Sequence, residues 1–170
     1  MTRSLLLAAL AGAALVSSLP AQDLPAPPKA TLMAGVGNSL GWFGMGGELF
    51  VGDARRVSVA GGLGYAIGDS EFDGTVAGAV ALRGFTRGVK HRGFLEASVS
   101  LLAMELTTPD LVTFDQRNAY GPALVAGYRF TSRGGFTFMA SGGLGYAPSL
   151  EVEDQAVPVV NIGFGYTWRR

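Results

Sequence analysis

Residues 57 to 66 divide into two faces: Val57, Val59, Leu63 and Tyr65 at one parity, Ser58, Ala60, Gly62 and Gly64 at the other. Successive side chains of a β-strand point to opposite sides, so such a strand carries one large apolar face and one small or polar face. The division recurs down the chain. Val76, Val80 and Leu82, then Leu95, Val99 and Leu101, then Leu124, Tyr128 and Phe130 supply the large face. Thr75, Ala77, Ala79 and Ala81, then Ser98 and Ser100, then Thr137, Ser141, Gly143 and Gly145 supply the small one. A sheet with these faces closes into a barrel with small polar groups inside and large apolar groups outside, the reverse of a soluble barrel.

The alternation predicts eight strands, at about 31 to 38, 44 to 51, 57 to 66, 75 to 83, 94 to 104, 119 to 130, 136 to 146 and 157 to 168. Most approach the roughly 9 to 11 residues that cross a bilayer as a tilted strand. Gly52 to Arg56, Gly84 to Gly93 and Thr131 to Gly135 read as tight turns, whereas 67 to 74, 105 to 118 and 147 to 156 read as longer acidic loops. Short turns on one side and long loops on the other is the outer-membrane habit, and an even strand count puts both termini on the short-turn, periplasmic side.

The N-terminus predicts export. An apolar run from Leu5 to Val16 follows Arg3, and Ser17-Ser18-Leu19-Pro20-Ala21 supplies small residues for cleavage, which makes 1–21 a signal peptide. Residues 22–29 then form a Pro-rich spacer and 30–170 the barrel. The apolar run is short of the roughly 20 residues of a spanning helix. With no cysteine, neither a disulfide framework nor a thiol nucleophile is available. Thirteen basic residues balance thirteen acidic ones, which disfavours nucleic acid as a partner.

Charges inside strands are the best functional clue. By parity Glu48, Arg83, Glu96 and Arg129 point inward near the periplasmic strand ends, and buried charges persist only when partnered. They predict a salt-bridge cluster that narrows the lumen. Aromatic residues fall at strand ends: Phe85, Phe94, Tyr128, Phe130, Phe136, Phe138, Tyr166 and Trp168 near one rim, Trp42, Phe43, Tyr65, Tyr120 and Tyr146 near the other. They are expected to form interfacial girdles. An internal repeat pairs 60 to 66 with 141 to 147, and Gly84-Phe85-Thr86 with Gly165-Tyr166-Thr167, which suggests duplication of a four-stranded half or convergence of two hairpins. The repeat's glycines are strand glycines that allow close approach across a narrow lumen, with no following helix to make a phosphate cradle.

The last strand, Asn161 to Trp168, runs polar, x, Gly, x, x, aromatic, x, aromatic through Asn161, Gly163, Tyr166 and Trp168. This resembles the C-terminal signal by which the barrel-insertion machinery recognises outer-membrane barrels. With the alternation over residues 30 to 168, it makes the chain similar to the small eight-stranded outer-membrane barrels of the OmpA/OmpX type. The resemblance implies an all-β, eight-stranded antiparallel up-and-down barrel set among outer-membrane lipids. One departure is that Arg169 and Arg170 follow the aromatic on which such chains commonly end. No cell-wall-binding domain is expected after Trp168.

Catalytic, metal and cofactor sites are not expected. The one histidine, His91, sits in Lys90-His91-Arg92 within a turn on the periplasmic side, where solvation is the default. Barrels that deacylate lipid A, and omptin-type proteases, use a histidine on the outer side, so neither site carries over. Asp69, Glu71 and Asp73, or Glu151, Glu153 and Asp154, lack a 12-residue EF-hand pattern and read as solvated loop charge. Three roles remain: a structural or surface-interaction barrel that uses its extracellular loops as the contact surface, a narrow channel for ions or small solutes, and a secreted barrel binding a small apolar ligand. The inside-out polarity disfavours the third.

Overall fold

The computed structural model describes residues 26–67, 74–110, 113–148 and 156–169, with only the backbone path described over 104–110 and 113–117. The expected signal peptide, the first part of the spacer, and Asp69, Glu71, Asp73, Glu151, Glu153 and Asp154 lie outside the described residues.

Eight antiparallel strands close into one barrel, each paired with its sequence neighbours and β1 paired with β8. They are β1 (Ala30–Gly37), β2 (Trp42–Val51), β3 (Val57–Ala66), β4 (Thr75–Phe85), β5 (His91–Asp110), β6 (Thr113–Thr131), β7 (Phe136–Tyr146) and β8 (Ala156–Trp168). Closure leaves no unpaired sheet edge among them. The start of β1, the end of β8 and the turns after β2, β4 and β6 share one end, called here the terminal end.

The alternation sets which side chains face out. Leu63, Val76, Leu124, Val80, Leu49, Leu95, Leu144 and Val160 are all more than half exposed, whereas Ser58, Ala77, Ala81, Ser100 and Thr137 are buried within the barrel. Leu101 departs from the expected outer face. A bulge between Leu101 and Ala103 sets two successive residues, Leu101 and Leu102, into the interior, where both are buried. The expected 105 to 118 loop is also replaced. β5 and β6 continue as a ladder to Asp110 and Thr113, so most of that segment is a projecting hairpin.

The girdle expectation needs two kinds of correction. Phe85 and Phe94 are buried inside, stacked on each other with ring centroids 5.5 Å apart, and Phe50 joins them at 5.4 Å from Phe85. Phe85 lies two residues from Arg83 and Phe94 two from Glu96, so the parity that turns the charges inward carries the rings inward too. Trp42 is half-buried against Ala66, Ala77 and Leu101 rather than outward. Phe43, Tyr65, Tyr120, Tyr128, Phe136, Tyr146, Tyr166 and Trp168 do face out. The internal repeat is out of phase in its second part: Tyr65 and Tyr146 both face out, but Phe85 is buried and its counterpart Tyr166 is exposed.

A short turn fills the far half of the interior. After β1 the chain makes a 3₁₀ turn, Asn38–Leu40, that folds back into the barrel and buries Ser39 and Leu40. Gly41 (φ 69) and Trp42 (φ 71) reverse it, two consecutive left-handed residues of which the second is a bulky side chain. The Asn38 amide donates to the Leu101 carbonyl at 2.9 Å and the Trp42 indole to the same oxygen at 3.3 Å, which anchors the reversal. The lumen glycines make room for it. A Cβ on Gly62 would lie 2.3 Å from the Ser39 carbonyl oxygen, and one on Gly64 would lie 2.4 Å from that of Gly41.

Candidate functional site: a layered barrel interior

The interior is stacked in layers from the plug toward the terminal end. Ser39 links the first two. Its backbone N–H donates to Asn161 Oδ1 at 2.8 Å, and its hydroxyl donates to Glu96 Oε1 at 2.5 Å. Asn161 in turn donates to the Ser141 hydroxyl at 3.1 Å. Asn161, the polar position of the pattern in the last strand, therefore holds the plug. Gly163 faces the same interior, where a Cβ would lie 3.3 Å from Leu40 Cδ1, while Tyr166 and Trp168 pack edge-on outside with centroids 5.2 Å apart.

The next layer gathers Glu48, Arg83, Glu96 and Arg129, all at most 2% exposed. β4 and β5 set Arg83 opposite Glu96 across the ladder, and the Arg83 Nε donates to Glu96 Oε2 at 2.5 Å. Arg83 Nη1 also donates to Glu48 Oε1 at 3.2 Å, and that oxygen accepts from the Ser58 hydroxyl at 2.6 Å. Arg129 Nη2 completes the chain on Glu48 Oε2. Five strands, β2 to β6, thus contribute to one network in which each carboxylate meets at least one guanidinium, the arrangement that lets charge persist away from water.

Below lies an aromatic layer that sequence reasoning did not anticipate. Arg92 is buried, with its guanidinium 4.4 Å from the Phe85 ring centroid and 5.5 Å from that of Phe50. The same two rings carry Arg129 at 4.9 and 5.5 Å, and Phe94 carries Arg83 at 5.7 Å. Ring faces attract cations, and most strongly where water is excluded. Arg92 was legible by parity, two residues from Phe94 and four from Glu96, but Lys90-His91-Arg92 reads as a turn. At the terminal end Thr31, Thr137 and Thr167 join hydroxyls, at 2.8 and 2.6 Å.

His91 stands outside this interior. It shares a hydrogen bond with the Tyr128 hydroxyl and stacks on Phe130, centroids 5.3 Å apart. Among the described residues no group of three His, Cys, Asp or Glu side chains is gathered for a metal.

No protein-family model matches the chain, and no curated protein does. Among solved structures, the chain is similar to the crystal structure of the N-terminal β-barrel domain of Pseudomonas aeruginosa OprF. The match has a TM-score of 0.61 at 14% identity and covers 84% of this chain and 99% of that one. At that identity the likeness concerns the fold, and the chain has the closed eight-stranded architecture of the small OmpA-type barrels it resembles.

Proposed function

We propose that this chain is an outer-membrane β-barrel with a structural and surface-interaction role, its termini periplasmic and its far-end loops, with the β5–β6 hairpin, as the contact surface. The observation that carries this reading is the outer face. Leu63 at 70%, Val76 at 69% and Leu124 at 66% exposure lie on three different strands of a closed barrel, and in water such a belt would aggregate. In lipid the same belt is satisfied, as is every paired backbone group. A plug and a paired charge layer in the interior favour an anchor that presents loops over an open pore, and they leave an apolar ligand little space. The insertion machinery would read Asn161, Gly163, Tyr166 and Trp168.

The test is mobility on SDS gels of the outer-membrane fraction from a double-membrane bacterium making the full chain. A band that shifts on boiling is expected. Soluble periplasmic protein without a shift would overturn the reading.

A narrow channel is the second reading, favoured by one observation. The Ser98 and Ser100 hydroxyls are buried in the interior without a partner, which suits water in the lumen. Ser39 and Glu96 would then be the latch. Planar-bilayer conductance that rises in Ser39→Ala would support gating, and equal closed traces for both proteins would exclude it.

A further inference from the structure

The buried charges do not balance. Among the described residues the buried ionisable side chains are Arg83, Arg92 and Arg129 against Glu48 and Glu96, one cation in excess. The excess is localised. A cavity of about 10 Å³ at the terminal end is lined by Arg92, Arg129 and Arg169 together with Phe50, Thr131 and Thr167. Such a space accommodates one water-sized sphere.

These three arginines also hold most of the orphaned donors. Of the eight buried side-chain nitrogen and oxygen atoms without a hydrogen-bond partner among the described residues, five are Arg92 Nε, Arg129 Nε and Nη1, and Arg169 Nε and Nη1. Of their other nitrogens, Arg92 Nη2 donates to the Arg55 carbonyl at 2.7 Å, and Arg169 Nη2 to the Ser132 carbonyl at 3.1 Å. Arg129 Nη2 is held by Glu48. Burial lowers the pKa of Arg169.

We propose that this cavity is a binding site for one monatomic anion of the halide class, which bridges Arg92, Arg129 and Arg169. A water molecule has two acceptor lone pairs and no charge, so it leaves donors unsatisfied and the excess cation uncompensated. A halide accepts from any direction and neutralises one charge. The volume selects a monatomic ion, since an oxyanion brings several oxygens into space for one sphere. The Phe85 ring lies against the guanidiniums of both Arg92 and Arg129, at 4.4 and 4.9 Å. The site does not depend on whether the barrel conducts.

The experiment is urea unfolding of the full mature chain in lipid vesicles, in sodium bromide or chloride against sodium gluconate at equal ionic strength. Above its dissociation constant, each tenfold rise in halide is expected to shift the folded-to-unfolded ratio tenfold. Non-specific salt effects work in the opposite sense, because bromide is the less stabilising solute. Arg169→Gln, at the edge of the cavity, and Arg92→Gln, inside it, are each expected to abolish the halide dependence, and a bromide anomalous peak is expected in the cavity. Arg169→Gln keeps the test available should Arg92→Gln fail to fold. Superimposed curves in the two salts for the unaltered protein, or an undiminished halide shift in Arg169→Gln, would refute the site.

Discussion

Replacing Glu48 by methionine leaves three buried guanidiniums facing one buried carboxylate. Arg83 keeps Glu96 at 2.5 Å, but Arg129 loses its only carboxylate partner among the described residues and is left at 1% exposure without an anion beside it. Breaking a buried pair from one side costs about 3–5 kcal/mol, most of it the stranded charge. Arg129→Met is different. It leaves two guanidiniums and two carboxylates, and Glu48 still accepts from Arg83 at 3.2 Å and Ser58 at 2.6 Å. The loss is then chiefly packing over Phe50 and Phe85, about 1–3 kcal/mol. The double substitution strands nothing, and its cost should fall short of the sum of the singles by at least about 2 kcal/mol. Urea midpoints of the heat-modifiable form in vesicles measure all four corners of the cycle. If Arg129→Met costs as much as Glu48→Met, or if the two add to within about 0.5 kcal/mol, excess positive charge is not what the cluster manages.

Three further substitutions test the plug and the belt. Gly64→Ala should cost about 2–3 kcal/mol or prevent assembly, because its Cβ would lie 2.4–2.6 Å from the Gly41, Phe43 and Leu40 carbonyl oxygens. Gly47→Ala, whose Cβ meets nothing within 4 Å, should be neutral or slightly stabilising in the same urea assay. Leu63→Arg should lose about 2–4 kcal/mol in vesicles if Leu63 lies near the bilayer midplane, whereas in a barrel facing water an arginine there would change stability by less than about 0.5 kcal/mol.

Parity made most of the barrel legible. β3 and β7 begin and end where the alternation does, because turn residues bound both: Arg55 and Arg56 before Val57, and Gly134 and Gly135 before Phe136. It failed where something other than pleat set the facing. At Leu101 a bulge adds one residue to the count, and at Trp42 the left-handed Gly41 and Trp42 pair turns the chain before the strand proper begins. At the tips of β5 and β6 the limits of pairing are set by the two strands together, which one segment's composition does not encode.

Glu48, Arg83, Glu96 and Arg129 were readable because a charge in an apolar strand has so few acceptable positions. Ser39 was not, since a serine between Asn38 and Leu40 looks like any polar turn, and only the small side chains across the lumen say that the turn has somewhere to go. The glycines and the plug are two halves of one statement. Gly44, Gly46, Gly62, Gly64 and Gly163 surround Leu40, so the small lumen face marks space that this turn occupies. An open pore would need those positions only to be polar, as a wall of serine or threonine would be. Glycine at several of them is a requirement of contact, so the closed interior is a property encoded on five positions at once, and widening the lumen by substitution demands that the plug be dislodged first.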